Sequence, residues 1–376
     1  MIDLETVALG VLKVTVSREQ LAEKVGIVSR ALSNRASVLV LGGIHMRASN
    51  GLLELAATDM EVSLRATLEA EVGGDGVVVV PGKLLLDIAR SLPAPDVSLE
   101  YLAEESMLLI TSGTASYRIH TYSAEDFPRL PEIAEEALQP ADRDALLATI
   151  ARVSRSASRD ESRPVLTGIF VRFERDKVVM AATDSYRLAV KETPALSPLP
   201  ELEAIIPARA LQELARITGP ANSIELAVQE NHVVFGSGGV WLTSRRIDGQ
   251  FPNYKQLLPE QFEHELELPR DEVLDVVRRV GLLAQRNSPL RLRFAEGELT
   301  VSARTQDVGE ARESLPAPYA AEAMEIGFNA DFLRDGLESI ESETVRVKLI
   351  SPLRPAVLQG ETDDYTYLIM PIRLAG

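Results

Sequence analysis

Hydrophobic and polar positions along the chain follow two rhythms. Segments such as GGIHMRA (42–48), RIHTY (118–122), TGIFVRF (167–173), VWLTS (240–244) and PLRLRF (289–294) alternate with a period of two, which predicts strands with one packed and one wet face. Elsewhere the apolar residues recur at three- and four-residue spacing. This spacing predicts six helices, over 17–35, 82–92, 141–163, 208–219, 270–286 and 330–340.

The rhythm itself repeats. AATD occurs at 56–59 and again at 181–184, so Thr58-Asp59 and Thr183-Asp184 stand 125 residues apart, one third of a 376-residue chain. VVVVPGKLLLDIARSL (77–92), AIIPARALQELARIT (204–218) and EIGFNADFLRDGLESI (325–340) are three copies of a strand, a turn and an amphipathic helix, with Pro81, Pro207 and Asn329 as equivalents. Each third opens with a longer helix whose first turn carries Ser, Asp or Pro and acidic residues, as capping and the helix dipole favour. Phe127-Pro128, Phe251-Pro252 and Met370-Pro371 close the thirds. The expected fold class is therefore α+β: three repeated domains, at 13–138, 139–263 and 264–376, each with two helices against antiparallel sheets. Residues 1–12 are read as an N-terminal extension, either a disordered tail or the product of an upstream start codon.

Composition removes most catalytic chemistries. There is no Cys, and the four histidines at 45, 120, 232 and 264 show no metal-ligand spacing. No phosphate-binding G-x-x-x-x-G-K-[ST] loop and no G-x-S-x-G elbow is present. The glycines of VGGDGV and GSGGVW read as hairpin turns. Asp59 and Asp184 are the only carboxylates that the repeat singles out, and Thr-Asp after an apolar strand reads as a side-chain-to-backbone turn. The N-terminus lacks a signal pattern and no apolar run approaches membrane-spanning length, so a cytoplasmic protein without a membrane partner is expected. No cofactor is called for.

Charge adds a second picture. Across 141–163, Arg152, Arg155, Arg159 and Arg163 fall within an arc of about 80°, opposite Leu146, Leu147, Ile150, Val153 and Ala157. Arg278, Arg279 and Arg286 stand likewise opposite Val273, Val276, Val277 and Val280. The six helices hold 18 basic and 14 acidic residues, a net of +4, which leaves −21 for the rest of a chain with a formal charge of −17. Basic helices lining a concave surface would attract phosphate backbone without reading bases. No aromatic is interleaved among these arginines, which favours duplex over single strands.

AATDSYRLAV, RIDGQFPNYKQLLP, MEIGFN and YLIMPIRL together resemble the bacterial sliding clamp family, the beta subunit of DNA polymerase III, over about residues 13–374. The resemblance implies three DNA-clamp domains per chain and a homodimer closed into a ring around double-stranded DNA. The implied activity is a non-catalytic processivity factor. The implied partners are replicative and translesion polymerases, a clamp loader, mismatch-repair proteins and ligase, bound through short peptides. The implied peptide-binding cleft takes Leu166, Thr183, Ser185, Tyr186, Arg187, Leu188, Pro252, Leu257, Asn329, Phe332, Leu353, Pro355, Leu368, Ile369, Met370, Pro371, Ile372, Arg373 and Leu374. By the same resemblance Arg35, Lys83, Arg163 and Arg209 face DNA, while Tyr117 and Ile119 on a first-domain edge strand meet Leu282 and Leu283 of the partner copy. Two departures bear on the cleft rim: Gln256 replaces a basic residue found in some clamps, and QRNSPLRL lacks an aromatic. The competing readings are a monomeric scaffold that binds peptides only and an enzyme built on Asp59 or Asp184, the latter weakened by the lack of any accompanying base, nucleophile or metal cluster.

Overall fold

The computed structural model describes residues 11–33, 38–134, 137–195, 202–219, 223–284, 288–362 and 364–374. Arg35 and Arg286 lie outside the described residues. So does the N-terminal extension, apart from Val11 and Leu12. Leu12 is fully buried and its carbonyl accepts from the Tyr101 N–H (2.9 Å), so it belongs to the packed first module.

The described helices are α1 (Arg18–Val28), α2 (Gly82–Ser91), α3 (Arg143–Val153), α4 (Pro164–Thr167), α5 (Ala208–Ile217), α6 (Arg270–Gly281) and α7 (Ala330–Glu338). Pro81 and Asn329 are the N-caps of α2 and α7, and Pro207 ends the strand directly before α5, as their equivalence in the repeat implies. Asn329 caps with its side chain, accepting from the Phe332 N–H (3.1 Å). The helices bury the apolar stripe that the sequence spacing picks out, for example Val273, Val276, Val277 and Val280 of α6.

Three helices end well before the periodicity predicts, the one expected over 270–286 stopping at Gly281. The one expected over 17–35 stops at Val28, and the one expected over 141–163 stops at Val153; each passes into a 3-10 turn, Ser29–Ala31 and Ser154–Ser156, and then into extended chain. The cause lies in SRALS and SRSAS. The Ser29 hydroxyl donates to the Val25 carbonyl (2.6 Å), and short hydroxyl side chains of this kind compete with the helical ladder. Arg163 precedes Pro164, which disfavours the helical region.

All strand pairs are antiparallel and fall into four sheets among the described residues. A five-stranded sheet belongs to the first module alone and has Ala115–His120 at its edge. A four-stranded sheet belongs to the third. The two eight-stranded sheets each take four strands from the middle module: one joins Val240–Arg245 to Val62–Glu69, the other joins Arg187–Pro194 to Tyr365–Ile369. The two joins share one register. Val62 stands opposite Ser244 and Arg187 opposite Ile369, so the 125-residue offset of the AATD motifs persists in the pairing.

These joins divide the chain into two compact units, residues 1–143 with 213–246 and residues 144–212 with 247–376. The middle module contributes to both, because each of its sheets is continued by a neighbour's strands. Within the second unit Tyr367, Phe294 and Phe328 are among the largest fully buried side chains. Burying such a side chain contributes about 1.5–3 kcal/mol. One hairpin expectation is met and one is not. Gly238 and Gly239, both at positive φ, make the two-residue turn between His232–Ser237 and Val240–Arg245. In VGGDGV, Gly73 and Gly74 lie within the strand Glu71–Gly74, and the next strand enters a different sheet, so no hairpin forms there.

Candidate functional site

The two AATD segments form the same turn. The Thr58 hydroxyl donates to the Val62 carbonyl (3.1 Å), and Asp59 Oδ1 accepts from the N–H groups of Glu61 (3.1 Å) and Val62 (2.9 Å). Thr183 repeats the bond to the Arg187 carbonyl (2.6 Å), and Asp184 Oδ1 accepts from Tyr186 (2.9 Å) and Arg187 (3.0 Å). Met60 and Ser185 occupy the positive-φ position of each turn. Both aspartates thus act as turn anchors. The third copy departs: the Thr305 hydroxyl donates to the Leu283 carbonyl instead (2.6 Å).

Beyond the turns the two joins diverge. In each unit the residue after the last paired position donates back to the turn, Arg245 N–H to the Glu61 carbonyl and Met370 N–H to the Tyr186 carbonyl, both at 2.8 Å. Each join also has a basic residue of the first 3-10 turn paired with an acid of a later helix, Arg30 with Glu213 and Arg155 with Asp335 (3.8 Å). Where the first unit has Met60, Glu61, Val62 and Arg245, however, the second has Ser185, Tyr186, Arg187 and Met370.

Arg187 organises the second join. Its side chain is 8% exposed, and it donates to Asp184 (3.1 Å), to Asp335 of α7 (2.6 Å) and to the Arg155 carbonyl (2.5 Å) while lying 4.3 Å from the Phe332 ring centre. Burial works against its charge, but the Tyr367 hydroxyl and the Asp335 carboxylate outweigh burial and move its pKa up. Burial likewise raises Tyr367, which stays a protonated donor to the Phe332 carbonyl (2.8 Å). Phe332 is therefore held from below by Arg187 and stacks on Tyr186, with ring centres 6.4 Å apart.

Several large apolar side chains of the second unit are exposed. Tyr186 (62%), Leu257 (49%), Leu353 (59%) and Met370 (41%) are among the few exposed large apolar residues of the unit. Leu166, Pro371, Ile372 and Leu374 are half-buried, Pro355 is half-buried behind Leu353, and Pro252 and Arg373 are exposed. The C-terminal segment is pinned by the Ile372 N–H on the Gly327 carbonyl (2.8 Å), and a Cβ at Gly327 would sit 2.9 Å from the Ile372 carbonyl oxygen, too close for the tail to stay where it is.

Three residues expected in the cleft are core instead. Leu188 (1%) and Leu368 (3%), directly opposite each other, are buried on one face of their sheet and Ile369 (0%) on the other, while Thr183 (4%) serves the turn. Conversely, Asp335 and Tyr367 escaped notice although, together with Asp184, they fix Arg187. The signal available in the sequence was the place where the two AATD copies stop matching.

The basic residues are distributed differently from the helical-arc expectation. Arg152 alone of its four lies on α3, where it pairs with Glu341 and lies 5.8 Å from the Tyr365 ring centre; Arg155 sits in the 3-10 turn, and Arg159 and Arg163 lie beyond it. Arg155 (2.5 Å) and Arg278 (2.9 Å) share Glu338. Burial alone would raise that carboxyl, but the two guanidinium bonds hold it below the ordinary range. Arg279 makes a bidentate pair with Glu313, and Arg163 bonds Asp160 (2.9 Å) and the Ser185 hydroxyl (3.1 Å). Arg159 is exposed, with no ion pair among the described residues. Lys83 and Arg209 are exposed at the second residue of α2 and α5. With the observed boundaries the helices carry twelve basic and eleven acidic residues, a net of +1 where +4 was expected. Of the basic residues that drop out, Arg30 and Arg155 lie in the 3-10 turns that follow their helices and Arg159 and Arg163 further along the chain. Of the expected interface residues, Leu282 is 83% exposed, Tyr117 and Leu283 are half-buried, and Ile119 (6%) packs into its own module.

Comparison with known proteins accounts for the whole repeat. Family models for the N-terminal, central and C-terminal domains of the DNA polymerase III beta subunit match residues 12–131, 141–253 and 255–373. The chain belongs to the beta sliding clamp family. It is 34% identical to the beta sliding clamp of Streptomyces coelicolor, over 97% of this chain and 100% of that one. The sliding clamp of Bacillus subtilis superposes with a TM-score of 0.92 at 25% identity, covering 97% of this chain and 100% of that one. A Pseudomonas aeruginosa clamp bound to griselimycin superposes with a TM-score of 0.89 at 28% identity, covering 96% and 100%. As a beta sliding clamp the chain is a DNA sliding clamp of the replication machinery, and the three-fold repeat read in its sequence is the family's three clamp domains. Among the described residues no helix is long and apolar enough to cross a membrane.

Proposed function

We propose that two copies of this chain close head to tail into a ring around duplex DNA and act there as a non-catalytic, cytoplasmic tether, with 13–138, 139–263 and 264–376 as working domains. Polymerases and repair factors dock by short linear peptides in the recess bounded by Leu166, Tyr186, Leu257, Phe332, Leu353 and Met370. The single observation that carries this reading is the asymmetry of the two joins. One construction occurs twice, yet only the second replaces Glu61 and Arg245 with Tyr186 and Met370 and anchors an aromatic stack on a buried arginine. Exposed apolar surface with a few orienting polar groups suits a peptide with Leu and Phe anchors. Covering it contributes about 25 cal/mol per Å², less the ordering of the peptide. Met370 supplies an adaptable wall for several partners.

Lys83 and Arg209 support DNA contact. Each is exposed at the second residue of its helix, where a phosphate backbone could reach it. For the ring contact the reading retains Tyr117, Leu282 and Leu283. Opening a closed ring requires an external ATP-driven loader, since the sequence carries no ATP-binding motif.

The test combines Met370→Ala with removal of residues 372–376. Peptide affinity should fall by at least tenfold, about 1.4 kcal/mol, while the mass in solution stays that of a dimer. Unchanged peptide affinity would locate docking elsewhere, and a monomeric mass for the native chain would favour the scaffold reading.

A further inference from the structure

The four-stranded sheet of the third module packs one face on its core through residues such as Leu292, Phe294 and Val301. Strand alternation sends Arg291, Arg293, Arg304 and Arg312 to the other face. The register assembles them into a lattice: Arg291 is opposite Ser302, which is opposite Arg312, and Arg293 lies one step along its strand, opposite Thr300. The C-terminal segment borders the same concavity and adds Arg373. Three acids share the face. Glu325 pairs with Arg291 (2.9 Å), Glu298 is occupied by the Thr300 (2.6 Å) and Ser314 (2.9 Å) hydroxyls, and Glu310 is opposite Arg304. Arg293, Arg304, Arg312 and Arg373 are exposed and make no ion pair among the described residues.

Five guanidiniums against three carboxylates is a positive patch on a chain of net charge −17. Strand pairing does not account for it, because on the strand Glu298–Thr305 the residues opposite Arg291, Arg293 and Arg312 are Ser302, Thr300 and Ser302 rather than acids. We propose that this face receives the acidic flank of the peptide whose apolar part occupies the recess, a proposal that rests on the recess reading above. Continuity supports it: Ile372 and Leu374 belong both to the tail that bounds the recess and to the wall of the arginine concavity. Spacing supports it as well. Arg291 and Arg293 are about 7 Å apart along their strand, the spacing of alternate side chains in an extended peptide, and Arg291 and Arg312 are about 10 Å apart across Ser302. An acidic extended segment can therefore meet several guanidiniums at once, where a lone surface pair would contribute little.

The test uses fluorescein-labelled synthetic peptides with the same Leu and Phe anchors and a flank of either glutamates or serines, placed at each end in turn. Against the native chain at low salt, one glutamate flank should tighten binding about five- to tenfold over the serine peptide. The gain should vanish at about 0.5 M salt and in the combined Arg293→Ser, Arg304→Ser, Arg312→Ser variant, which should bind the serine peptide normally. Equal affinity for serine and glutamate peptides at both ends, with the serine peptide binding well, overturns the acidic-flank proposal alone. A serine peptide that does not bind at all defeats the recess reading itself. If the gain is absent and the triple variant instead loses retention on duplex DNA, the face belongs to nucleic acid and the proposal fails. Should the unfolding curve show that the triple variant is damaged, the salt dependence of the two peptides on the native chain decides the matter by itself.

Discussion

Arg187 concentrates more interactions than any other side chain at the second join. Its guanidinium spans the turn through Asp184, α7 through Asp335 and the chain before α4 through the Arg155 carbonyl, and it supports the Phe332 ring. Replacing it with methionine leaves Asp335 and Asp184 without their buried cation, which should destabilise the chain by about 3 kcal/mol in urea unfolding. Arg187→Lys should recover little, because one ammonium cannot reach three divergent acceptors in the geometry of a planar fork. A lysine variant as stable as the native chain would show that charge alone matters there. At this scale the sequence was a partial guide. The match to the family singled out Arg187, Tyr186 and Met370, and all three lie at the join. The burial of Leu188, Leu368, Ile369 and Ile119 was not legible, since strand alternation fixes only relative facing and the pairing partners decide which side is covered.

Elements repeat more faithfully than residues. The Thr-Asp turn has the same bonds in two modules, which explains why AATD survives 125 residues apart: Thr seals the strand end and Asp accepts the two N–H groups that the turn leaves unpaired. Asp59→Asn should be nearly neutral, since the amide oxygen can accept as Oδ1 does. Asp59→Ala should cost about 1–2 kcal/mol through two unpaired N–H groups, read as a lower urea midpoint with unchanged slope. Equal effects of the two substitutions would indicate that the carboxylate charge, not the turn, is what the position requires. Helix existence followed from periodicity; helix length did not. Arg155, Arg159 and Arg163 continue the helical spacing of α3 in sequence, yet the chain leaves the helix at Val153 through the serine-rich 3-10 turn Ser154–Ser156.

For the molecule as a whole, those shorter helices change the electrostatic argument. A net of +1 on the helices, with Arg152, Arg155, Arg278 and Arg279 already paired to glutamates, offers only a modest pull on phosphates. Strong affinity for DNA would show a steep loss with salt through counterion release. Retention by encirclement would not. Chains loaded on a closed circular duplex should therefore stay bound at about 0.3 M salt and depart once the circle is cut, measured by gel filtration before and after linearisation. Equal retention on both forms would defeat the ring.

The sequence by itself determined the three modules, the strand–turn–helix order within each, the Thr-Asp turns and the family, because these depend on local spacing and on a repeat that can be counted. Only the tertiary structure decided where the helices end, how the middle module shares its two sheets with both neighbours, and why one join exposes Tyr186 and Met370 where its counterpart carries Glu61 and Arg245. Those outcomes depend on which strands meet and on which buried acids a guanidinium can reach, and contacts between residues such as Arg187 and Asp335, 148 positions apart, leave no periodic trace in the chain.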